Sequence, residues 1–201
     1  FAKFDIQGED SFSFLNRLCA NKIPKKVGGI SLVHLLTDLG GIECEATIAK
    51  VSKDTFYFLS AAAAEIHDED WLTQQVMPGE RVQIINVTND YGVLLLTGPL
   101  SRDILTQLTD ADLSNQSFPW LRCQEIKVAG ISVRALRVSY VGELGWELHH
   151  PMERMQELYD QLHEVGKAFG LKDFGTYAVN SLRMEKAYKA WGGELTTEIT
   201  P

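Results

Sequence analysis

The sequence predicts an α+β protein of two similar lobes, each a mainly antiparallel sheet with helices packed on one face. Three observations carry this: short apolar strand segments joined through glycines, a strand-then-helix rhythm that runs twice, and connections too short for a doubly wound parallel sheet. No GxGxxG follows any strand, so the chain is not expected to bind FAD or NAD by itself.

The elements follow in order. Asp10 and Ser11 give an N-cap signal ahead of Phe12, Leu15, Leu18 and Cys19, an apolar stripe at helical spacing. Residues 31–36 and 42–51 read as a hairpin whose connection holds Gly40 and Gly41. An aromatic strand over 55–59 leads to Ser60, expected to cap a helix that Pro78 ends. Residues 81–87 and 92–97 read as a further pair of strands, and Gly98 and Pro99 open a helix carrying Ile104, Leu105 and Leu108. Three strands over 125–128, 133–140 and 143–148 bend at Gly130 and Gly142. A long amphipathic helix over 151–169 and a last helix over 177–188 complete the chain.

Composition narrows the function. The 201 residues are 45% hydrophobic and 23% charged, which suits a folded chain with a substantial core and excludes disorder. Nineteen basic against 27 acidic residues give a formal charge of −8, so nucleic acid is not the expected partner. No apolar run reaches the roughly 18 residues a membrane span requires, and no charged-then-apolar stretch resembles a signal peptide, so an intracellular protein without a membrane partner is expected. Cys19, Cys44 and Cys123 are odd in number and far apart, which points to buried free thiols rather than disulfides or zinc. The five histidines show no ligand spacing, and no metal is expected.

Two acidic stretches could carry chemistry. In residues 42–48 the period-two pattern puts Ile42, Cys44, Ala46 and Ile48 on one face and Glu43, Glu45 and Thr47 on the other. Spacing alone favours a solvated sheet face, and the alternative is a ligand-facing carboxylate able to accept a proton. In SYVGELGWELHH the pattern aligns Glu143, Gly145, Glu147 and His149. A carboxylate beside a glycine leaves room for a flat ligand and accepts two parallel N–H donors, while pairing with Arg134 or Arg137 is the structural alternative. Arg183, in SLRMEKAYKAWGG, reads as structural or solvated.

Four stretches in order, HLLTDLGGIECEATIAK, VTNDYGVLLLTGPLSRDIL, LRVSYVGELGWELH and FGTYAVNSLRMEKAYKAWGGEL, resemble the folate-binding region of dimethylglycine and sarcosine dehydrogenases, within the glycine-cleavage aminomethyltransferase superfamily. The resemblance spans almost all of residues 1–201 and implies an aminomethyltransferase folate-binding fold. It implies a flavoenzyme part that binds tetrahydrofolate and captures a one-carbon unit from a small N-methyl amine as 5,10-methylenetetrahydrofolate. FAD would lie on a separate N-terminal domain and a β-rich domain would follow Pro201, so the chain, which opens at Phe1 without Met, is expected to be a piece of a longer enzyme. The family's carboxylate beside folate N10 matches Glu45, its pterin-binding Glu matches Glu147, and its aromatic folate contact matches Tyr140. Leu32 and Val179 depart from the family pattern and take no role. The implied setting is the cytoplasm of a bacterium or the mitochondrial matrix of a eukaryote. A non-catalytic module of the same fold, and an aminomethyltransferase using another donor, are the rival readings.

Overall fold

Strand segments of alternating polarity sort into two separate sheets. A computed structural model describes all residues, Phe1–Pro201, as two compact units, Phe1–Thr88 with Ala190–Pro201, and Asn89–Lys189. In the first, β1 (Ala2–Gln7), β2 (Ile30–Leu36), β3 (Ile42–Lys50), β4 (Thr55–Ser60) and β5 (Gln83–Asn86) form a sheet of order β2-β3-β4-β1-β5, with every neighbouring pair antiparallel. Helices α1 (Ser11–Leu18) and α2 (Glu65–Gln74) bring Phe14, Leu15 and Leu72 onto one face, against Phe4, Ile6, Phe56 and Phe58. Burying such side chains contributes about 1.5–3 kcal/mol each.

In the second unit β6 (Tyr91–Thr97), β7 (Cys123–Val128), β8 (Ile131–Leu136) and β9 (Gly145–Pro151) form an antiparallel sheet of order β6-β9-β8-β7. Helices α3 (Ser101–Thr106) and α4 (Met155–Gly166) supply Ile104, Leu105, Leu158 and Leu162 to a core with Phe118, Trp146 and Leu148. The spacing of Met155, Leu158 and Leu162 gives α4 its apolar stripe. Helix α5 (Thr176–Glu185) buries little but Arg183.

The expected α+β class and its two antiparallel sheets are therefore present, with several local corrections. β1 lies between β4 and β5, a central strand that the element-by-element reading passes over. Residues 81–87 and 92–97 do not pair with each other: β5 pairs with β1, and β6 pairs with β9. Asp10 holds the cap position of α1, but its carboxylate accepts the Arg81 backbone N–H at 3.0 Å instead of a helix donor. Ser60 ends β4 and caps nothing, and a 3-10 turn at Ala62–Ala64 leads into α2. The long helix over 151–169 is a 3-10 turn, α4 and a second 3-10 turn. The strand expected over 133–140 stops at Leu136, and Glu143 falls in the irregular stretch before β9. All three cysteines are free and buried, as expected. No helix is long and apolar enough to cross a membrane.

Candidate functional site

The alternation in β3 places its side chains as the sequence implies: Ile42, Cys44, Ala46 and Ile48 are buried, while Glu43, Glu45 and Thr47 stand half-buried on the other face. Neither glutamate is simply solvated. Register sets His34 of β2 directly opposite Glu45, and His34 Nε2 lies 2.9 Å from Glu45 Oε2. Glu43 meets His67 of α2 at 2.9 Å through Nε2, while the other ring nitrogen of His67 lies 2.9 Å from the buried Asp68 carboxylate. The hydrogen bond to Asp68 raises the His67 pKa above its ordinary value, with Glu43 adding to it against the opposing effect of burial. Asp68 also accepts the Cys44 thiol at 3.6 Å. Burial first, and then Asp68, push that thiol well above its usual range, so it is not a nucleophile at neutral pH.

In the second unit, β9 carries Glu147 between Leu95 of β6 and Leu136 of β8. The Glu147 residue is 7% exposed, a costly position for a carboxylate without a partner. The expected arginine partners are occupied elsewhere. Arg134 meets Glu125 at 2.7 Å, and Arg137 donates to the Phe118 carbonyl and the Asn115 side chain. The partner is His149, two residues along on the same face and fully buried, with Nε2 3.3 Å from Glu147 Oε2. No protein donor reaches the other Glu147 oxygen.

Tyr140 comes from the irregular stretch before β9 and borders the same recess as Glu147, together with Thr97, Ser139 and Trp146. The recess itself is small, about 10 Å³, room for roughly one water. Tyr140 is 38% exposed, its hydroxyl donates to the Lys189 carbonyl at 2.9 Å, and its ring stacks on Tyr188 with centroids 6.4 Å apart. Ala187, at φ 58°, reverses the chain after α5 and brings Tyr188 back. Arg183 secures that reversal by donating to the Tyr188 carbonyl and the Asn180 side chain, and being buried it is structural rather than solvated. The glycines do not make the clearance expected of them. A side chain on Gly142 would collide with Lys186, and one on Gly145 would sit 2.8 Å from the Leu96 carbonyl oxygen, so each admits protein rather than ligand. A larger groove of about 490 Å³ in this unit, lined by Leu100, Phe174 and Val179 among others, includes neither Tyr140 nor Glu147.

Tyr140 and Glu147 thus meet at one recess, and Glu45 stands in the other unit. Sequence reasoning assigned no part to His34 as the neighbour of Glu45, although pairing residues 31–36 with 42–51 about Gly40 would have suggested it. The partnership of His149 with Glu147 was open to detection from their shared face.

Comparison with known proteins identifies the family. Rat dimethylglycine dehydrogenase is 42% identical over 202 residues, covering all of this chain and 24% of that protein. The mouse pyruvate dehydrogenase phosphatase regulatory subunit is 32% identical over 204 residues, again covering all of this chain and 23% of that protein. The chain therefore spans about a quarter of the length of these curated relatives. The glycine cleavage system aminomethyltransferase T structure from Bartonella henselae shares the fold with a TM-score of 0.85 at 22% identity, over all of this chain and 52% of that one. The GCVT N-terminal domain model matches residues 1–201 from end to end, and the chain belongs to that family.

Proposed function

We propose that the chain is the tetrahydrofolate-binding, one-carbon transfer part of a dimethylglycine or sarcosine dehydrogenase-like flavoenzyme. In this reading FAD belongs to a separate N-terminal domain and a β-rich domain follows. The supporting observation is the Glu147 carboxylate: buried, bonded to His149 through one oxygen only, and beside an aromatic residue at the same recess. An ionised carboxylate accepts two N–H donors, which suits the N3–H and 2-amino group of a pterin. Tyr140 supplies an aromatic contact to the folate. Glu45 accepts the proton lost as folate N10 bonds to the one-carbon unit, and holding folate beside that unit replaces a diffusive encounter. The product is 5,10-methylenetetrahydrofolate. The setting proposed is a mitochondrial matrix or a bacterial cytoplasm.

Calorimetry of tetrahydrofolate binding to the intact enzyme tests the pterin role. Glu147→Gln turns a two-acceptor group into a donor and an acceptor, and is expected to cost about 1.5–3 kcal/mol, or roughly ten- to hundredfold in affinity. An unchanged affinity would remove Glu147 from the site. A second reading, a regulatory module that keeps the fold without folate chemistry, draws on the 32% identity to the phosphatase regulatory subunit. It predicts no heat of tetrahydrofolate binding in the unaltered protein.

A further inference from the structure

We infer that His34 is a positioning residue for Glu45, holding one carboxylate oxygen so that the other is presented to the reacting folate nitrogen. The inference rests on the folate reading above and adds to it a residue outside the family's folate contacts. Its basis is the way the hairpin fixes this pair.

Strand β2 is the outer strand of its sheet, where a side chain's direction would ordinarily be loosely set. Here the backbone of His34 is held on both counts. Its carbonyl accepts the Ala20 N–H at 2.8 Å, and its own N–H donates to the Asn21 side-chain oxygen at 3.3 Å. Asn21 in turn donates to the Leu32 carbonyl at 2.8 Å. The loop after α1 thereby acts as a further strand edge and locks the register that puts His34 across from Glu45. The two side chains are 27% and 19% exposed, so their 2.9 Å contact is only partly open to competition from water.

The contrast with Glu43 identifies Glu45 as the residue left free to work. Both glutamates share a face of β3, and each meets a histidine. Glu43 is bound through His67 into a chain that continues to Asp68 and Cys44, which ties α2 to the sheet. Glu45 has His34 alone, on Oε2, and no protein donor reaches its Oε1. With Nε2–H donating to Oε2, the carboxylate cannot rotate freely. Its Oε1 lone pairs then have one fixed direction. With the one-carbon unit arriving as an iminium, the N10 lone pair bonds to its carbon while the C=N π pair moves onto the amine nitrogen. The N10–H bond then breaks, its electron pair stays on nitrogen, and the proton goes to Oε1, while the His34 proton does not move. Glu45 returns that proton to the amine nitrogen, the C–N bond to the amine breaks as N5 bonds to the same carbon, and the N5 proton passes to solvent.

The test compares single-turnover formation of 5,10-methylenetetrahydrofolate with calorimetric folate affinity in the intact enzyme. His34→Leu, similar in bulk but without a donor, is expected to slow transfer roughly 10- to 100-fold, the scale of a misplaced reacting group, with folate affinity within about twofold. His34→Gln restores an N–H donor at similar reach and is expected to recover most of the rate, which a purely structural loss would not allow. Wild-type rates in both variants, while Glu45→Gln is slow, would overturn the positioning role and leave the folate reading intact. A wild-type rate for Glu45→Gln would instead overturn the catalytic reading of Glu45, and the role of His34 with it. If His34→Leu does not fold, nitrogen-15 imidazole spectra decide: the His34 Nε2 signal of a bonded donor is expected in the wild type and altered in Glu45→Gln, and an identical signal in both proteins would refute the contact.

Discussion

At the scale of single residues, His67 makes its surroundings sensitive to pH. It sits between the Asp68 and Glu43 carboxylates, and both contacts favour the imidazolium, with the Asp68 hydrogen bond the larger cause. Its pKa in the folded protein therefore lies above the ordinary 6.5. A group whose pKa rises on folding contributes stability that is fully present below the unfolded value and disappears as pH climbs through the folded one. His67→Gln is accordingly expected to lower stability most near pH 6. The gap to wild type should narrow steadily toward pH 8.5 in urea unfolding. A gap that widens with pH would show that neutral His67 is the favoured partner. At this scale the sequence is informative about which residues share a face and poor at naming their partners. Alternation placed Glu43 with Glu45, and Glu147 with His149, correctly. It could not show that Arg134 is drawn to Glu125 or Arg137 to Asn115, because those choices depend on register and loop path.

The hairpin of β2 and β3 shows how an element depends on chain that is distant in sequence. Gly40, at φ 83°, supplies the left-handed residue of the turn, a requirement legible from the sequence. Gly41 has a different reason to be glycine. The segment Ala190–Pro201 returns to this unit, the Ile199 carbonyl accepts the Ile42 N–H at 2.9 Å, and any side chain on Gly41 would run into the Thr197 carbonyl. No local pattern encodes that approach. Gly41→Ala is expected to push the returning segment off and destabilise the unit by about 1–3 kcal/mol, the usual cost of overpacking. Amide exchange gives a sharper measure, since the Ile42 N–H should lose its protection; retained protection would mean that the segment does not secure the hairpin. The element errors of sequence reading share this cause. AKFDIQ has the alternation of a strand, with Ala2, Phe4 and Ile6 fully buried, yet its partners are the distant segments Thr55–Ser60 and Gln83–Asn86. Residues 81–87 and 92–97 look like a hairpin because they are adjacent, but each is taken up by a different sheet.

Across the whole molecule, the two sheets build two cores that share no residue, and each unit holds at least one buried thiol that reports on it. Cys19 and Cys44 lie in the first core, with Phe4 and Phe14, while Cys123 is buried in β7 of the second unit. Burial pushes the Cys19 and Cys123 thiols up to about 12, and Cys44 well above its usual range. At pH 8 the native thiols are almost entirely protonated and inert, so a disulfide reagent reads the opening of the surrounding structure. Phe118, fully buried and packed edge to face on Trp146, is a centre of the second core. Its truncation to Ala is expected to cost about 3–5 kcal/mol. If each core is its own cooperative unit, Phe118→Ala speeds modification of Cys123, read by peptide mass, and leaves Cys19 and Cys44 near their wild-type rates. Phe14→Ala in the first core should give the reverse pattern. Equal acceleration of all three thiols by either variant would mean that the chain opens as one unit, and that a site residue in one sheet cannot be altered without changing the stability of the other.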